Sequence, residues 1–255
     1  MSDVTVDAVV LAGGDGAVID PTCRFKGLVP IAGKPMIEWV TDALRASSSV
    51  AEIAVVVPTA EDLGLWADRV DKLVVSDGEF MANVEAGVRA FREDRPVLVT
   101  TGDIPMLTPE AVDDFVARSI ERGAEFAYPL VPKRALLEQY PGSQRTYVRL
   151  ATGEATGGNM VLVDPKIVPR LHKVGQHLFD KRKDAAGMLR VLGLRFVFRL
   201  LTGRLHPADV EAKVGQLFDC TGVAVFTEHA SIGADVDKPV DVVVAERVLY
   251  ERASR

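Results

Sequence analysis

The segment from Val9 to Pro35, V-V-L-A-G-G-D-G-A-V-I-D-P-T-C-R-F-K-G-L-V-P-I-A-G-K-P, constrains the fold of this 255-residue chain more than any other. An apolar run of strand length, Ala8 to Ala12, ends on Gly13, Gly14 and Gly16. A polar loop then carries Arg24 and Lys26, and a second turn at Gly33-Lys34-Pro35 opens a helix. Glycines let backbone N–H groups approach an oxyanion closely and take up the positive φ angles of a concave nest, and a nearby ammonium adds charge. The pattern is that of an anion cradle at the end of a strand. Two familiar phosphate loops do not account for it. A dinucleotide fingerprint begun at Gly14 and Gly16 finds Ile19 where the third glycine belongs, and the Walker spacing finds five residues rather than four between Gly27 and Gly33-Lys34, then Pro35.

What fits is L-A-G-G, a loop, a lysine, then P-I-A-G-K-P-M-I-E-W-V. At these residues the chain resembles the nucleotidyltransferases of the nucleotide-diphospho-sugar transferase superfamily, especially the molybdenum cofactor guanylyl- or cytidylyltransferase-like group. Taken without that resemblance, the glycines also suit a plain turn in an ordinary α/β domain. The resemblance implies a three-layer α/β/α Rossmann-like fold of the GT-A type. Its sheet would be mostly parallel, with a small added β-ribbon and a helical insertion.

Composition agrees with a globular α/β chain: 48% hydrophobic and 26% charged, long enough for one large domain over residues 1–255, with the helical insertion at 166–216. The formal net charge of -6 argues against nucleic acid as a partner, because such binding needs a basic face. Cys23 and Cys220 are far apart and match no metal spacing. The amino terminus M-S-D-V-T-V lacks the basic and apolar regions of a leader, so the cytoplasm is the expected compartment. No apolar run approaches the ~20 residues that span a bilayer.

Strand-like and helix-like segments then alternate. Ala54 to Val57 reads as a strand, a helical stretch follows around Leu63 to Ala67, and Leu73-Val74-Val75 leads into Ser76-Asp77-Gly78 and a helix carrying Val84, Val88 and Phe91. Such alternation predicts a mostly parallel sheet with ligands beyond the carboxyl ends of its strands. Asp103 sits at such an end, in T-G-D-I-P-M-L after the strand Pro96 to Thr100. A turn aspartate capping its own backbone is the competing role. From Glu125 to Asp164 the alternation loosens, and Tyr147–Leu150 and Asn159–Val163 read as strands of a ribbon around A-T-G-E-A-T-G-G-N.

The region Leu189 to Leu205 is apolar with interleaved arginines, and Gly193 and Gly203 interrupt it. Packing on the core or on a second subunit of a homodimer is the first reading, and a peripheral membrane contact the second. The chain closes with a strand-like F-D-C-T-G-V-A-V-F-T and then I-G-A-D-V-D-K-P-V-D before a terminal helix near Pro239.

The resemblance assigns roles to these residues. G-D-x-P places a metal-binding carboxylate at Asp103, and the D-x-D-T-P-E-D-L element places the second at Asp237, with Asp235 close by and Asp237 also able to cap the terminal helix. Both would hold Mg²⁺. Lys26 would neutralise phosphate charge, Gly13, Gly14 and Gly16 would offer backbone donors, and the base would lie against Leu11, Ala12, Gly13 and the turn Asp77-Gly78. A carboxylate at Asp77 suits guanine N1 and N2, with CTP the other donor. Gly157, Gly158 and Asn159 would touch a phosphorylated acceptor, with Lys133, Arg134, Arg145 and Arg149 the candidates for meeting its phosphate. The implied reaction is transfer of NMP from an NTP with release of pyrophosphate. A sugar-1-phosphate nucleotidyltransferase and a silent nucleotide-binding regulator are the alternatives. The second arises because Ala17 and Val18 stand where many relatives carry an arginine; Arg24 is the candidate replacement.

Overall fold

The computed structural model describes residues 5–60, 69–181 and 184–254. In chain order its elements are β1 (Val6–Leu11), β2 (Pro30–Ile31), β3 (Lys34–Pro35), α1 (Met36–Ala46), β4 (Val50–Val57), β5 (Lys72–Val75), α2 (Phe80–Val88), β6 (Val97–Thr101) and α3 (Pro109–Glu121). Then come β7 (Phe126–Pro132), α4 (Lys133–Gln139), β8 (Val148–Leu150), β9 (Gly153–Gly157) and β10 (Met160–Val163). Four helices follow, α5 (Val168–Lys181), α6 (Ala185–Leu192), α7 (Leu194–Leu201) and α8 (Pro207–Phe218), before β11 (Gly222–Phe226) and α9 (Pro239–Ala253). The helical stretch expected around Leu63 to Ala67 lies outside the described residues.

The main sheet runs β5-β4-β1-β6-β10-β7-β9-β8, with β11 on the other edge of β7. Strands β5, β4, β1 and β6 are parallel, β10 runs antiparallel between β6 and β7, and β11 is parallel to β7. This is the expected α/β layering. The reason lies in the alternation of β1: Ala8 and Val10 join the core under α1 and α3, while Val9 faces α2 and α5 on the other side. Helix α2 comes so close that a Cβ on Gly87 would lie 2.5 Å from Val9 Cγ1 and 2.9 Å from Val56 Cγ2.

The segment from Glu125 to Asp164 is more regular than its composition suggests. Within A-T-G-E-A-T-G-G-N, residues Gly153–Gly157 form a strand of their own, β9, hydrogen-bonded to both β7 and β8. Strand β7 carries Pro129 in its interior, where proline normally argues against a strand. On one side β7 pairs with β10 at Phe126 and Ala127 and with β9 from Leu130 onward, so Pro129 falls in the gap between two partners.

The stretch from Leu189 to Leu205 is broken at Gly193, which has φ 87°, so that α6 and α7 are separate helices. Phe196 and Leu200 pack against Leu150 and Leu205, whereas Leu194, Phe198 and Leu201 are 74%, 58% and 81% exposed. The segment therefore packs on the protein by one face alone. No helix among the described residues is long and apolar enough to cross a membrane.

Candidate active site

Strand β1 ends level with its neighbours: Leu11 is opposite Val56 of β4 and Thr101 of β6. Past this edge the glycine loop folds back on itself. Gly14 takes φ 94°, Lys26 N donates to the Gly14 carbonyl at 3.0 Å, and Gly16 N donates to the Arg24 carbonyl at 3.1 Å. The Gly16 N–H is thus committed within the loop, so the expectation that it serves as a ligand donor is corrected. Its glycine is needed for space, since a Cβ there would lie 2.5 Å from the Cys23 carbonyl oxygen. Among the described residues neither the Gly13 nor the Gly14 N–H meets a protein acceptor. Those two remain the loop's candidate anion donors.

The fold-back delivers Lys26 to the sheet edge, where its ammonium ion-pairs with both Asp103 and Asp237. Asp103 arrives from β6: Gly102 N donates to the Leu11 carbonyl at 2.9 Å, and Thr101 Oγ1 donates to Asp103 Oδ1 at 2.5 Å. Asp237 arrives from the segment ahead of α9, tied in place by Val236 N donating to the Asp103 carbonyl at 2.9 Å. The cap of α9 is Asp241, whose Oδ2 accepts from the N–H groups of Asp237 and Lys238 at 3.1 and 3.0 Å. Asp237 is relieved of that role, and its carboxylate turns to Lys26.

Asp235 completes the cluster. Each of Asp103, Asp235 and Asp237 offers an oxygen such that all three lie within 4.8 Å of one another. Asp235 accepts from Asn159 Nδ2 at 3.2 Å and pairs with Arg145 Nη1 at 3.0 Å; the Arg145 side chain is only 9% exposed and its second terminal nitrogen donates to the Asp235 carbonyl.

The charges respond to this crowding. Burial pushes the Asp235 carboxyl up, helped by its hydrogen bond with Asp237 and opposed by Arg145, to about 6. Burial also works against charge on Asp237, but hydrogen bonds from Asp235 and Lys26 outweigh it and hold that carboxyl below the ordinary range. Burial disfavours the Lys26 ammonium, yet Asp103 and Asp237 more than offset this and raise its pKa. The site is an acidic pocket of three carboxylates, partly neutralised by two cations, Lys26 and Arg145.

The other expected residues spread around this centre. Asp77 and Gly78 are exposed at the carboxyl end of β5, two strands from β1, about 10 Å away by strand spacing. Arg24 lies with its guanidinium carbon 4.9 Å from the Phe25 ring centre. Lys34 pairs with Asp42 and lies 3.7 Å from the centre of the Trp39 ring, so it is engaged by α1 instead. Arg149 is turned toward the end of α7, where a Cβ on Gly203 would meet its Cδ at 2.9 Å. Lys133 and Arg134 pair with Glu154 and Glu228. Asn159 stands at the cluster.

Two residues take parts here that the sequence reading did not give them: Asp235 stands in the cluster as a third carboxylate, and Arg145, named there only for an acceptor phosphate, pairs with Asp235. The alternation of G-A-D-V-D in an extended segment puts Asp235 and Asp237 on one side, which is a readable signal. The pairing of Arg145 with Asp235 has no such signal, because the two are 90 positions apart.

Two cavities meet here. A polar one of about 320 Å³ is lined by Gln144, Arg145, Thr156, Gly157, Asp235 and Lys238 among others. A larger one of about 470 Å³ runs from Leu11, Thr101, Gly158 and Asn159 along the face of the sheet toward α5 and α8.

Comparison with known proteins is consistent with this geometry. Residues 8–193 match the MobA-like NTP transferase domain. A solved structure of a hypothetical transferase from Thermus thermophilus superposes with a TM-score of 0.84 at 34% identity, covering 94% of this chain and all of that one. Molybdopterin-guanine dinucleotide biosynthesis protein A from Archaeoglobus fulgidus shares the fold at a TM-score of 0.56 and 15% identity, over 96% of this chain and 99% of that one. The bifunctional protein GlmU of Parvibaculum lavamentivorans is 32% identical over 96% of this chain, and 2-C-methyl-D-erythritol 4-phosphate cytidylyltransferase of Corynebacterium efficiens is 30% identical over 56% of it. The chain spans 53% of the former and 62% of the latter.

Proposed function

Because the chain belongs to the MobA-like NTP transferase family, we propose that it transfers a nucleoside monophosphate from an NTP to a phosphorylated small-molecule acceptor and releases pyrophosphate. The observation that carries this reading is the Lys26 ammonium held between Asp103 and Asp237 at the mouth of a glycine loop. Lysine and carboxylates converge from three distant parts of the chain onto the edge where ligands of parallel sheets bind.

A phosphate monoester is already largely dianionic near neutral pH, its second pKa being about 6. Its oxygen can therefore attack the α-phosphorus without giving up a proton, and no residue needs to act as general base. What remains is repulsion between anions and charge gathering on the leaving pyrophosphate, which calls for cations and fixed geometry. Lys26 supplies the first, and the Gly13 and Gly14 N–H groups, directed by the folded-back loop, supply backbone donors. Thr101 orients Asp103, while Asn159 and Arg145 orient Asp235.

Three clustered carboxylates form the all-oxygen donor set that a hard divalent cation takes, so the residues present fit Mg²⁺. Asp103, Asp235 and Asp237 would hold it, and when bound it supplies charge neutralisation for the reacting phosphates. GTP and CTP are the favoured donors: the first on the carboxylate of Asp77, the second on the cytidylyltransferase relative.

The test is pyrophosphate release from each of the four NTPs with Mg²⁺ and a panel of phosphate monoesters. Turnover with sugar 1-phosphates would assign the sugar nucleotidyltransferase reading. Nucleotide binding with no release across the panel would favour a silent binder.

A further inference from the structure

Resting on the transferase reading, we infer that the acceptor is a phosphate ester of an apolar alcohol, its hydrocarbon body lying in the 470 Å³ cavity and its phosphate at the carboxylate cluster. The cavity walls are Val99, Val161 and Val163 of the sheet and Val84, Leu171 and Phe218 of the helices. Polar side chains reach it only at Thr100, Thr101 and Asn159 among the described lining residues, and each already donates a hydrogen bond elsewhere. Thr100 Oγ1 donates to the Asn159 carbonyl at 3.0 Å, Thr101 Oγ1 donates to Asp103, and Asn159 Nδ2 donates to Asp235. A polyhydroxylated body would lose its water there for few replacement hydrogen bonds, whereas an apolar one gains by burial. The same Thr101 and Asn159 that form the mouth touch the carboxylates, so the cavity and the reaction centre are continuous. The volume is that of an ordinary small-molecule pocket.

In the reaction an acceptor phosphate oxygen forms a bond to the α-phosphorus. The bond from that phosphorus to the bridging oxygen of the leaving group breaks, and pyrophosphate departs with the electron pair. No proton transfer or redox partner is required.

The experiment compares n-octyl phosphate with glucose 1-phosphate as acceptors, in the wild type and in Val161→Phe, which fills the cavity. Octyl phosphate should be preferred at least about tenfold in kcat/KM. Val161→Phe should raise its KM about tenfold while leaving the NTP KM, and the NTP-induced thermal shift that reports a folded protein, unchanged. Preference for glucose 1-phosphate, or an octyl phosphate KM indifferent to Val161→Phe, overturns the inference. Should no acceptor release pyrophosphate, calorimetry with octyl phosphate decides it. Binding abolished by Val161→Phe supports the cavity assignment while the transfer reading falls, and absence of binding overturns the cavity assignment itself.

A separate observation concerns α7, whose geometry points to an anionic lipid surface as partner. Leu194, Phe198 and Leu201 fall within one exposed arc of the helix, opposite the packed Phe196 and Leu200. Between Asp184 and Asp209 the sequence holds Arg190, Arg195, Arg199 and Arg204 and not one acidic residue, in a chain of net charge -6. Arg199 pairs with Asp209, while Arg190, Arg195 and Arg204 are exposed. An apolar face flanked by arginines matches a helix lying in a bilayer interface with its charges toward anionic headgroups. A symmetric contact between two copies through this face would bring together two surfaces that both carry arginines and, between Asp184 and Asp209, no acidic residue.

Co-sedimentation with vesicles of phosphatidylglycerol and phosphatidylcholine, against phosphatidylcholine alone, tests it. At least about tenfold more protein should sediment with the anionic vesicles. Binding should be lost in Leu194→Asp with Phe198→Asp and weakened in Arg195→Glu with Arg204→Glu, NTP thermal shifts being unchanged throughout. Equal or absent sedimentation overturns the proposal. So does a dimer in solution that the Leu194→Asp with Phe198→Asp pair dissociates, which would give the face to a second copy.

Discussion

The Val236 N–H donates to the Asp103 carbonyl at 2.9 Å, and this one backbone bond docks the segment ahead of α9 on the end of β6. With Val236 so held, the extended backbone turns Asp235 and Asp237 to the same side, toward Asp103. Two carboxylates separated by more than half the chain thus become one site through main-chain geometry.

Asp103→Asn and Asp237→Asn should each lower kcat/KM by at least about 10²-fold in Mg²⁺-dependent turnover, the scale of losing one preorganised charge-stabilising group. The stability effects should differ. Asp103 is mostly buried beside Lys26, so its neutralisation should cost about 1–2 kcal/mol, while the half-exposed Asp237 should cost less. Steady-state kinetics and urea denaturation check the pair; full activity in either variant ends the carboxylate mechanism.

Arg145 acts through Asp235, so its loss should be read in two steps. Arg145→Ala should reduce kcat/KM about tenfold or more, and Arg145→Lys should recover little of it. A lysine cannot serve both the carboxylate and the carbonyl of Asp235 in the fork that the guanidinium uses. Near-complete rescue by lysine would reduce the residue to a simple counter-charge.

Much of this site is legible in the sequence because its parts are local. A strand that ends in glycines, and another that ends in Gly102-Asp103, declare a ligand edge without any tertiary information. The terminal D-V-D-K-P element is legible by resemblance. What is not legible is decided across the sheet. Gly16 looks like an anion donor until its N–H is seen bonded to the Arg24 carbonyl. Pro129 hides β7 because the gap that excuses it belongs to two other strands.

Asp113 offers a pH-dependent test of the fold away from the site. Burial opposes its charge, but Ser47, Ser49 and Ser48 donate to it and hold its pKa below the usual value. The bonds run from Ser47 Oγ at 2.6 Å, Ser49 N at 3.0 Å and Ser48 Oγ at 3.0 Å, clamping the turn between α1 and β4. A carboxyl with a depressed folded pKa stabilises the protein above its unfolded pKa, about 3.9 for Asp, and that stability disappears as pH falls through the lower folded value. Asp113→Ala should therefore cost about 1–2 kcal/mol at pH 7 and progressively less below about pH 4. A pH-independent difference in melting would refute the charged clamp.

Lys26→Ala carries the sharpest contrast. In the catalytic sense it should lower kcat/KM by about 10²-fold or more, because no other cation described at the cluster reaches both Asp103 and Asp237. In the thermodynamic sense it leaves three carboxylates within 4.8 Å facing one another with only Arg145 to balance them. Like charges so close disfavour joint ionisation, so the variant should be less stable than wild type in EDTA. A divalent cation binding the same oxygens would relieve that repulsion, and any ligand that binds only the folded state raises stability by mass action. Mg²⁺ should therefore raise the melting temperature of Lys26→Ala more than that of wild type, where the ammonium competes for the same carboxylates. If Mg²⁺ shifts neither protein, the acidic cluster is not a metal site and Lys26 and Arg145 provide its only positive charge among the described residues.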